Sequence, residues 1–465
     1  MKTVKAKIIY TIVVYIALAA FDNIIIGLFP PLFKSIAKDL HTNVSSMGII
    51  SALNILVTAL SSLYWGYLSG KFKRKRLIFI GTLIWVLSVF LTALSRNYIE
   101  LLLFQILTGI GLGCIASVGF SVLTDCIPSR MRGMILSLWG MTQGLGGIAG
   151  SLLASLIAPS AGWRTPFYIV GCIGFLLIIL YIFVAEPPRG GSEPELQGLM
   201  KEGYSYNYII ETKQILPIIL KGSNRYLFLQ AFLFNIAIGS LIWLPTLYIF
   251  KIQQEGYAMG TAMAASGYLY GIFQLGGTIS MLFGNLGDKL QKKNRKGRAY
   301  LSSVFVFLTI PFYILMFIVP MTNLSLPAGH NAFFILIGLV KQILTNPWIT
   351  LLFILSFLAS AAQSANTPNW LALITDVNLP EHRGTAFSVA NLSNSLGRSL
   401  GNIGVSILIS VFSIHLKEPY SYIITLSLLQ IFLIPSALCY IKMAKHNVSD
   451  IHRVKETLIE RSEKD

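Results

Sequence analysis

The chain has 465 residues and a net charge of +17, yet only 12% of its residues are charged and 54% are hydrophobic, where a soluble domain carries about 25% charged residues. Uncharged runs such as Leu77 to Leu94 and Tyr168 to Val184 are long enough to cross a bilayer as helices, which takes about 18–20 apolar residues. A soluble enzyme, a nucleic-acid binder and a disordered tail are excluded, and the composition points to an all-α polytopic membrane protein.

Twelve spanning segments are predicted, at about 8–33, 44–68, 77–95, 98–126, 132–158, 165–185, 226–250, 258–287, 299–320, 349–376, 383–412 and 420–441. The first follows Lys2, Lys5 and Lys7 and contains Ala17-Leu18-Ala19, which resembles a cleavage site. Its apolar run continues to Phe33, so it is read as an uncleaved first helix. Between the sixth and seventh segments lies a polar stretch, Glu186 to Arg225. Within it, Asn207 to Lys221 mixes Ile and Leu with Lys213 and Lys221, the pattern of a short helix on the membrane surface. Met321 to Asn346 is also irregular. Its apolar stretch, Ala332 to Val340, is too short to cross and is expected to be an interfacial or re-entrant helix. The expected organisation is a six-helix bundle at 1–185, a cytoplasmic linker at 186–225, a second six-helix bundle at 226–441 and a cytoplasmic tail at 442–465.

With both termini placed in the cytoplasm, 28 Lys and Arg fall on the inner side and 7 on the outer, which satisfies the positive-inside rule. The basic excess therefore reads as an orientation signal in the cell membrane, with no nucleic-acid role. Cys114, Cys126, Cys172 and Cys439 lie in apolar stretches without metal-binding spacing, and neither metal nor cofactor is expected.

The chain repeats itself. Gly66-Tyr67-Leu68-Ser69-Gly70-Lys71 closes the second segment and Gly284-Asn285-Leu286-Gly287-Asp288-Lys289 the eighth, each followed by a basic run. Asp125 precedes Arg132 by seven residues at the end of the fourth segment, as Asp376 precedes Arg383 at the end of the tenth. Two signatures in the same order argue for two pseudo-symmetric halves, a hallmark of secondary transporters with substrate at the repeat interface.

On these residues the chain resembles the major facilitator superfamily, whose inner-loop motif has the form G-x-L-x-D-[RK]-x-G-[RK]-[RK]. The second copy matches through Gly284, Leu286, Asp288 and Lys289, whereas Gly70 and Lys73 depart from the motif in the first. The resemblance implies a fold of two six-helix bundles and an inner gate latched by the motif Asp. Asp22, Glu186-Pro187-Pro188-Arg189-Gly190 and Trp243-Leu244-Pro245 further resemble the spinster-like branch, associated with lysolipids and sphingoid lipids. Asn23 and Gln105 stand where that branch usually carries Arg.

Only Asp22 and Arg398 are ionisable and unmistakably inside the membrane. At a rise of 1.5 Å per residue, Asp22 lies roughly 22 Å from Lys7 and Arg398 roughly 21 Å from Gly384, with Gln274 at a similar depth. Asp22 is the expected protonatable switch, with Arg398 beside the cavity; a static ion pair is the alternative. Asn54, Gln105, Gln143, Asn235, Gln363, Asn366, Asn391 and Asn394 could meet a substrate or bond a neighbouring helix. Asp125/Arg132 and Asp376/Arg383 read as cytoplasmic gate pairs or as solvated surface pairs. Gly109, Gly111 and Gly113 imitate a nucleotide loop, but they and Gly140/Gly144, Gly146/Gly150 and Gly397/Gly401 read as helix-packing sites.

The expected function is secondary active transport, proton-coupled, of a small organic or amphiphilic molecule, by a monomer in the bilayer. A proton-independent facilitator or lysolipid flippase is the alternative. An enzyme is not expected, because His41, His330, His382, His415, His446 and His452 lie outside the spans or near their ends.

Overall fold

A computed structural model describes residues 2–69, 71–119, 121–123, 132–184, 212–327, 332–378 and 380–462. A backbone in hydrocarbon must satisfy its own N–H and C=O groups, so the apolar runs form helices. In chain order these are α1 (Lys2–Leu28), α2 (Phe33–Asp39), α3 (Val44–Ser69), α4 (Arg74–Leu94), α5 (Tyr98–Cys114), α6 (Arg132–Ala161) and α7 (Arg164–Ile182). After the linker come α8 (Thr212–Leu220), α9 (Gly222–Ser240), α10 (Leu244–Gln254), α11 (Met259–Gln274), α12 (Ser280–Lys293) and α13 (Gly297–Ile318). The rest are α14 (Ala332–Thr345), α15 (Pro347–Ser364), α16 (Asn366–Asp376), α17 (Pro380–Phe412), α18 (Tyr420–Leu429) and α19 (Leu433–Ser462). No strand occurs among the described residues. Ten described stretches are long and apolar enough to span a membrane. With α6 and the α11–α12 run they account for the twelve predicted segments.

Several spans are broken, each with a chemical cause. Pro30 and Pro31 force a 3₁₀ turn between α1 and α2, and Pro245 follows the 3₁₀ turn Leu241–Trp243 between α9 and α10. Proline lacks the N–H that would continue the ladder. Gly276 and Gly277 lie in the 3₁₀ stretch Leu275–Ile279 that separates α11 from α12. Helix α5 ends differently, widening into a π turn at Ile115–Gly119 that packs on α1, α3 and α4.

Two compact units result. One holds α1 to α7 with Met259–Tyr268 of α11; the other holds α8 to α10, α11 from Leu269 onward, and α12 to α19. Each has the same glycine seam. In the first unit, a Cβ at Gly146 would lie 2.7 Å from the Asn23 Cβ, and one at Gly150 would lie 2.8 Å from the Leu28 nitrogen. In the second, a Cβ at Gly397 would lie 3.1 Å from the Asn235 Cβ, and one at Gly401 would lie 3.0 Å from the Ile236 Cα. Only glycine lets the α1/α6 and α9/α17 backbones approach so closely. The match extends further. Gly27 faces Gly147 as Gly239 faces Arg398, and Asn23 and Asn235 each donate to the carbonyl four residues back, at 2.7 Å to Ala19 and 2.9 Å to Ala231. The internal repeat thus superimposes Asn23 on Asn235 and Gly147 on Arg398.

The α5 glycines serve two neighbours at once. Gly109 and Gly113 face α3, where a Cβ would lie 2.8 Å from the Asn54 oxygen and 2.7 Å from the Thr58 oxygen. Gly111 faces α4 and would meet the Trp85 nitrogen at 2.6 Å. This spacing is helix packing.

Of the predicted surface helix, the part from Thr212 is α8, with Leu216 and Leu220 exposed; residues 207–211 lie outside the described residues. Helix α14 buries Ile335 and Leu339 and exposes Phe334, Ile337 and Leu344. Its 14 residues rise about 21 Å, short of the roughly 30 Å of hydrocarbon. Helix α19 continues past Ile441 to Ser462 and buries Met443, Ala444, Asn447, Asp450 and Ile451. Asp450 accepts from the Ser223 N–H at 3.1 Å, and Asn447 donates to the Arg295 carbonyl at 2.6 Å.

Candidate functional site

In the first unit, Asp22 is 7% exposed, and its Oδ1 finds no hydrogen-bond partner among the described residues. It lies within electrostatic reach of Cys114, the last residue of α5 before the π turn. The glycine seam fixes its depth by holding α1 against α6 through Asn23. A buried carboxylate in hydrocarbon costs several kcal/mol unless protonated, paired or hydrated.

The amides of the sequence reading divide into two kinds. Gln105, Asn235 and Asn366 are buried and spent on neighbours. Asn54 donates to the Gln105 carbonyl at 2.7 Å while Gln105 donates to Thr92 at 3.2 Å. Asn366 accepts from Tyr440 at 2.6 Å and from Gln230 at 3.3 Å, and Asn235 donates to Asn394 at 2.7 Å. These bonds tie helices together. Gln274, Gln363 and Asn394 stay partly open, and Arg398 is exposed. The Gln143 side chain lies outside the described residues.

In the second unit, Arg298 gathers Asp288 and Asp376, two of the residues expected at a gate. Its guanidinium, 6% exposed as a residue, bonds Asp376 at 2.8 Å and also Asp288. Helix α12 brings Asp288, the start of α13 brings Arg298 and the end of α16 brings Asp376. Arg298 thus joins both carboxylates in one network. Gly284 packs against Pro368, with a Cβ 3.3 Å away, whereas a Cβ at Gly66 would meet nothing within 4 Å. Lys289 is exposed. Asp125 and the side chains of Arg132 and Arg383 lie outside the described residues.

Sequence reasoning missed three polar residues. Arg298 sits in a basic loop where nothing distinguishes it from its neighbours. Lys251, just past the seventh predicted segment, is buried, and its Nζ donates to the Phe317 and Val319 carbonyls at 2.7 and 2.6 Å, capping the end of α13. Tyr270, one turn before Gln274, is partly open and stacked on Phe273, with centroids 6.2 Å apart.

A helical chain of twelve apolar segments with an internal repeat and membrane-embedded ionisable groups has the architecture of a membrane transporter. A family model described as the Major Facilitator Superfamily matches residues 12–340 and again 331–457, and the chain belongs to that family. The niacin transporter NiaP of Acinetobacter baylyi is 25% identical over 278 residues, covering 54% of this chain and 62% of that protein. The 4-hydroxybenzoate transporter PcaK of the same organism is 22% identical over 292 residues, covering 56% and 60%. The chain thus spans about three fifths of the length of these curated relatives. Among solved structures, a bacterial homologue of the human lysosomal transporter Spinster, inward-facing and unoccupied, has a TM-score of 0.74 at 19% identity, covering 96% of this chain and 98% of that one. A D-xylose-proton symporter has a TM-score of 0.59 at 16% identity, covering 91% and 97%. Both share the fold. The family is one of transporters, not enzymes.

Proposed function

We propose that the chain is a proton-coupled secondary active transporter that moves a small organic or amphiphilic molecule by alternating access of two six-helix bundles, 1–185 and 226–441. Asp22 carries this reading, as a carboxyl 7% exposed with an unpartnered oxygen in an apolar span. A proton removes its burial cost and a departing proton restores it, so protonation can be exchanged against a change of conformation. The network of Asp288, Arg298 and Asp376 serves as the inner latch, made in one conformation and broken in the other. The substrates named for two relatives, niacin and 4-hydroxybenzoate, are small organic acids, which supports the small-molecule reading.

The test is reconstitution into liposomes with an imposed proton gradient and a panel of nicotinate, 4-hydroxybenzoate, D-xylose and a lysophospholipid. Accumulation that collapses with a protonophore and is lost in Asp22→Asn is expected. Transport indifferent to both would replace this reading with a facilitator or a lysolipid flippase.

A further inference from the structure

The last turn of α12 and the start of α13 form a groove of about 380 Å³ lined by Leu290, Lys293, Asn294, Tyr300, Leu301 and Val304. That lies within the range of small-ligand sites, about 300–1,000 Å³. The groove belongs to a tight corner. A Cβ at Gly297 would lie 2.5 Å from the Leu290 carbonyl oxygen, so only glycine lets the start of α13 come this close to the end of α12. The turn is closed by the Asn294 N–H on the Leu290 carbonyl at 2.8 Å and the Gly297 N–H on the Asn294 carbonyl at 2.7 Å. Side chains lock it further. Asn294 Oδ1 accepts from the Lys296 N–H at 2.9 Å, and Asn447 of α19 donates to the Arg295 carbonyl at 2.6 Å. The lysines of this turn therefore stand on a fixed backbone.

The floor of the groove is apolar and continues into the span. Tyr300, Val304 and Leu308 follow one another four residues apart on α13 and are all exposed, as are Leu282 and Leu286 on α12 ahead of Leu290. Side chains at that spacing share a helix face, and an exposed apolar face on a spanning helix meets acyl chains. The rim is cationic. Lys289, Lys292, Lys293 and Arg295 are exposed and Lys296 half-buried, and none of them pairs with a carboxylate among the described residues. The remaining cation of the run, Arg298, is spent on Asp288 and Asp376. No Asp or Glu occurs in the sequence from Lys289 to Thr375, so the run has no acid of its own to neutralise it. The Asn294 oxygen is taken by the turn, which leaves its amide nitrogen as a further donor at the groove. Tyr300 brings the aromatic ring that favours headgroup level. A floor continuous with hydrocarbon and an unneutralised cationic rim complement a phospholipid with an anionic headgroup. A zwitterionic headgroup would carry its own cation to the rim, and a soluble anion would leave the floor bare.

We propose that the α12/α13 groove is a binding site for an anionic phospholipid, with the phosphate held at Lys293 and Asn294 and one acyl chain laid along Leu290, Leu301 and Val304. The proposal rests on the membrane-embedded fold and on neither the substrate nor the coupling ion.

The test is native mass spectrometry of the delipidated full chain in detergent, titrated with phosphatidylglycerol and with phosphatidylcholine of the same acyl chains. The first phosphatidylglycerol is expected to bind about 5- to 30-fold tighter than phosphatidylcholine, the worth of one or two cations beside an anionic headgroup. Lys293→Gln should weaken phosphatidylglycerol about fivefold and leave phosphatidylcholine unchanged, whereas Lys293→Arg should retain the wild-type affinity. Lys73→Gln, in the other basic run, should leave this first site unaltered. Hydrogen exchange at 290–304 should slow with phosphatidylglycerol and not with phosphatidylcholine. Glycerol 3-phosphate, the headgroup without its chains, should fail to displace the lipid. Equal affinity for the two lipids, equal losses in Lys293→Gln and Lys73→Gln, unchanged exchange at 290–304, or displacement by glycerol 3-phosphate would each overturn the proposal. If a variant does not fold, the lipid comparison, the exchange and the displacement on the unaltered chain decide the matter. Proton-driven transport by a chain that binds the two lipids alike would sink this site alone. Selective phosphatidylglycerol binding without proton-driven transport would sink the coupling reading alone.

Discussion

The ion network of Asp288, Arg298 and Asp376 can be dissected by removing its charges in different orders. The Arg298 side chain is 7% exposed, whereas those of Asp288 and Asp376 are 59% and 37% exposed. The burial cost therefore falls on the cation. Asp376→Asn leaves Asp288 to neutralise it, and a solvent-screened pair is worth about 0.5–1 kcal/mol. The double variant Asp288→Asn/Asp376→Asn strands a buried guanidinium, at about 3–5 kcal/mol. Arg298→Met loses the same two bonds but strands nothing, because the carboxylates can hydrate; about 1–2 kcal/mol is expected. At about 2–4 °C per kcal/mol for a unit of this size, unfolding midpoints in detergent should fall by about 1–4 °C for the single variant. They should fall by about 6–20 °C for the double one, with Arg298→Met between them. Additivity of the two Asn variants to within about 0.5 kcal/mol would refute the reasoning, as would Arg298→Met matching the double variant.

Three further outcomes follow from the packing. Gly397→Ala should cost about 2 kcal/mol or more because its methyl would strike the Phe232 carbonyl, whereas Gly66→Ala, with open space around it, should be neutral or gain up to about 1 kcal/mol of helix propensity; thermal unfolding measures both. Lys251→Met should bare the Phe317 and Val319 carbonyls, lowering stability by about 1–3 kcal/mol and raising hydrogen exchange at the end of α13, with Lys251→Arg restoring most of the loss. Desolvation holds the Lys221 ammonium below its ordinary 10.5, with Asp450 opposing and Arg453 adding to the shift. The unfolded chain therefore binds that proton more tightly, and stability should rise with pH as the window below 10.5 is crossed. An unchanged pH slope in Lys221→Met would contradict this.

The fold was legible because bilayer physics leaves few options: a long uncharged run must be a helix. The glycine pairs carried their meaning in their spacing. Individual polar residues did not. Gln105 and Gln274 look alike in the chain, yet one is spent between helices and the other stays partly open. Arg298 was hidden among six basic residues between 288 and 298, because its role comes from a carboxylate on α16, far along the chain. The repeated Asp376/Arg383 spacing singled out a carboxylate that bonds Arg298 at the start of α13, while the Arg383 side chain lies outside the described residues.

Helix α19 is unbroken for 30 residues, a rod of about 45 Å from the span to Ser462, and its inner face is fastened to Ser223 and Arg295. A fluorophore or fiducial domain joined near Ser462 would turn rigidly with the second unit instead of trailing on a tether. Distances from such a reporter to one in the first unit would then test, molecule by molecule, whether the two units move against each other.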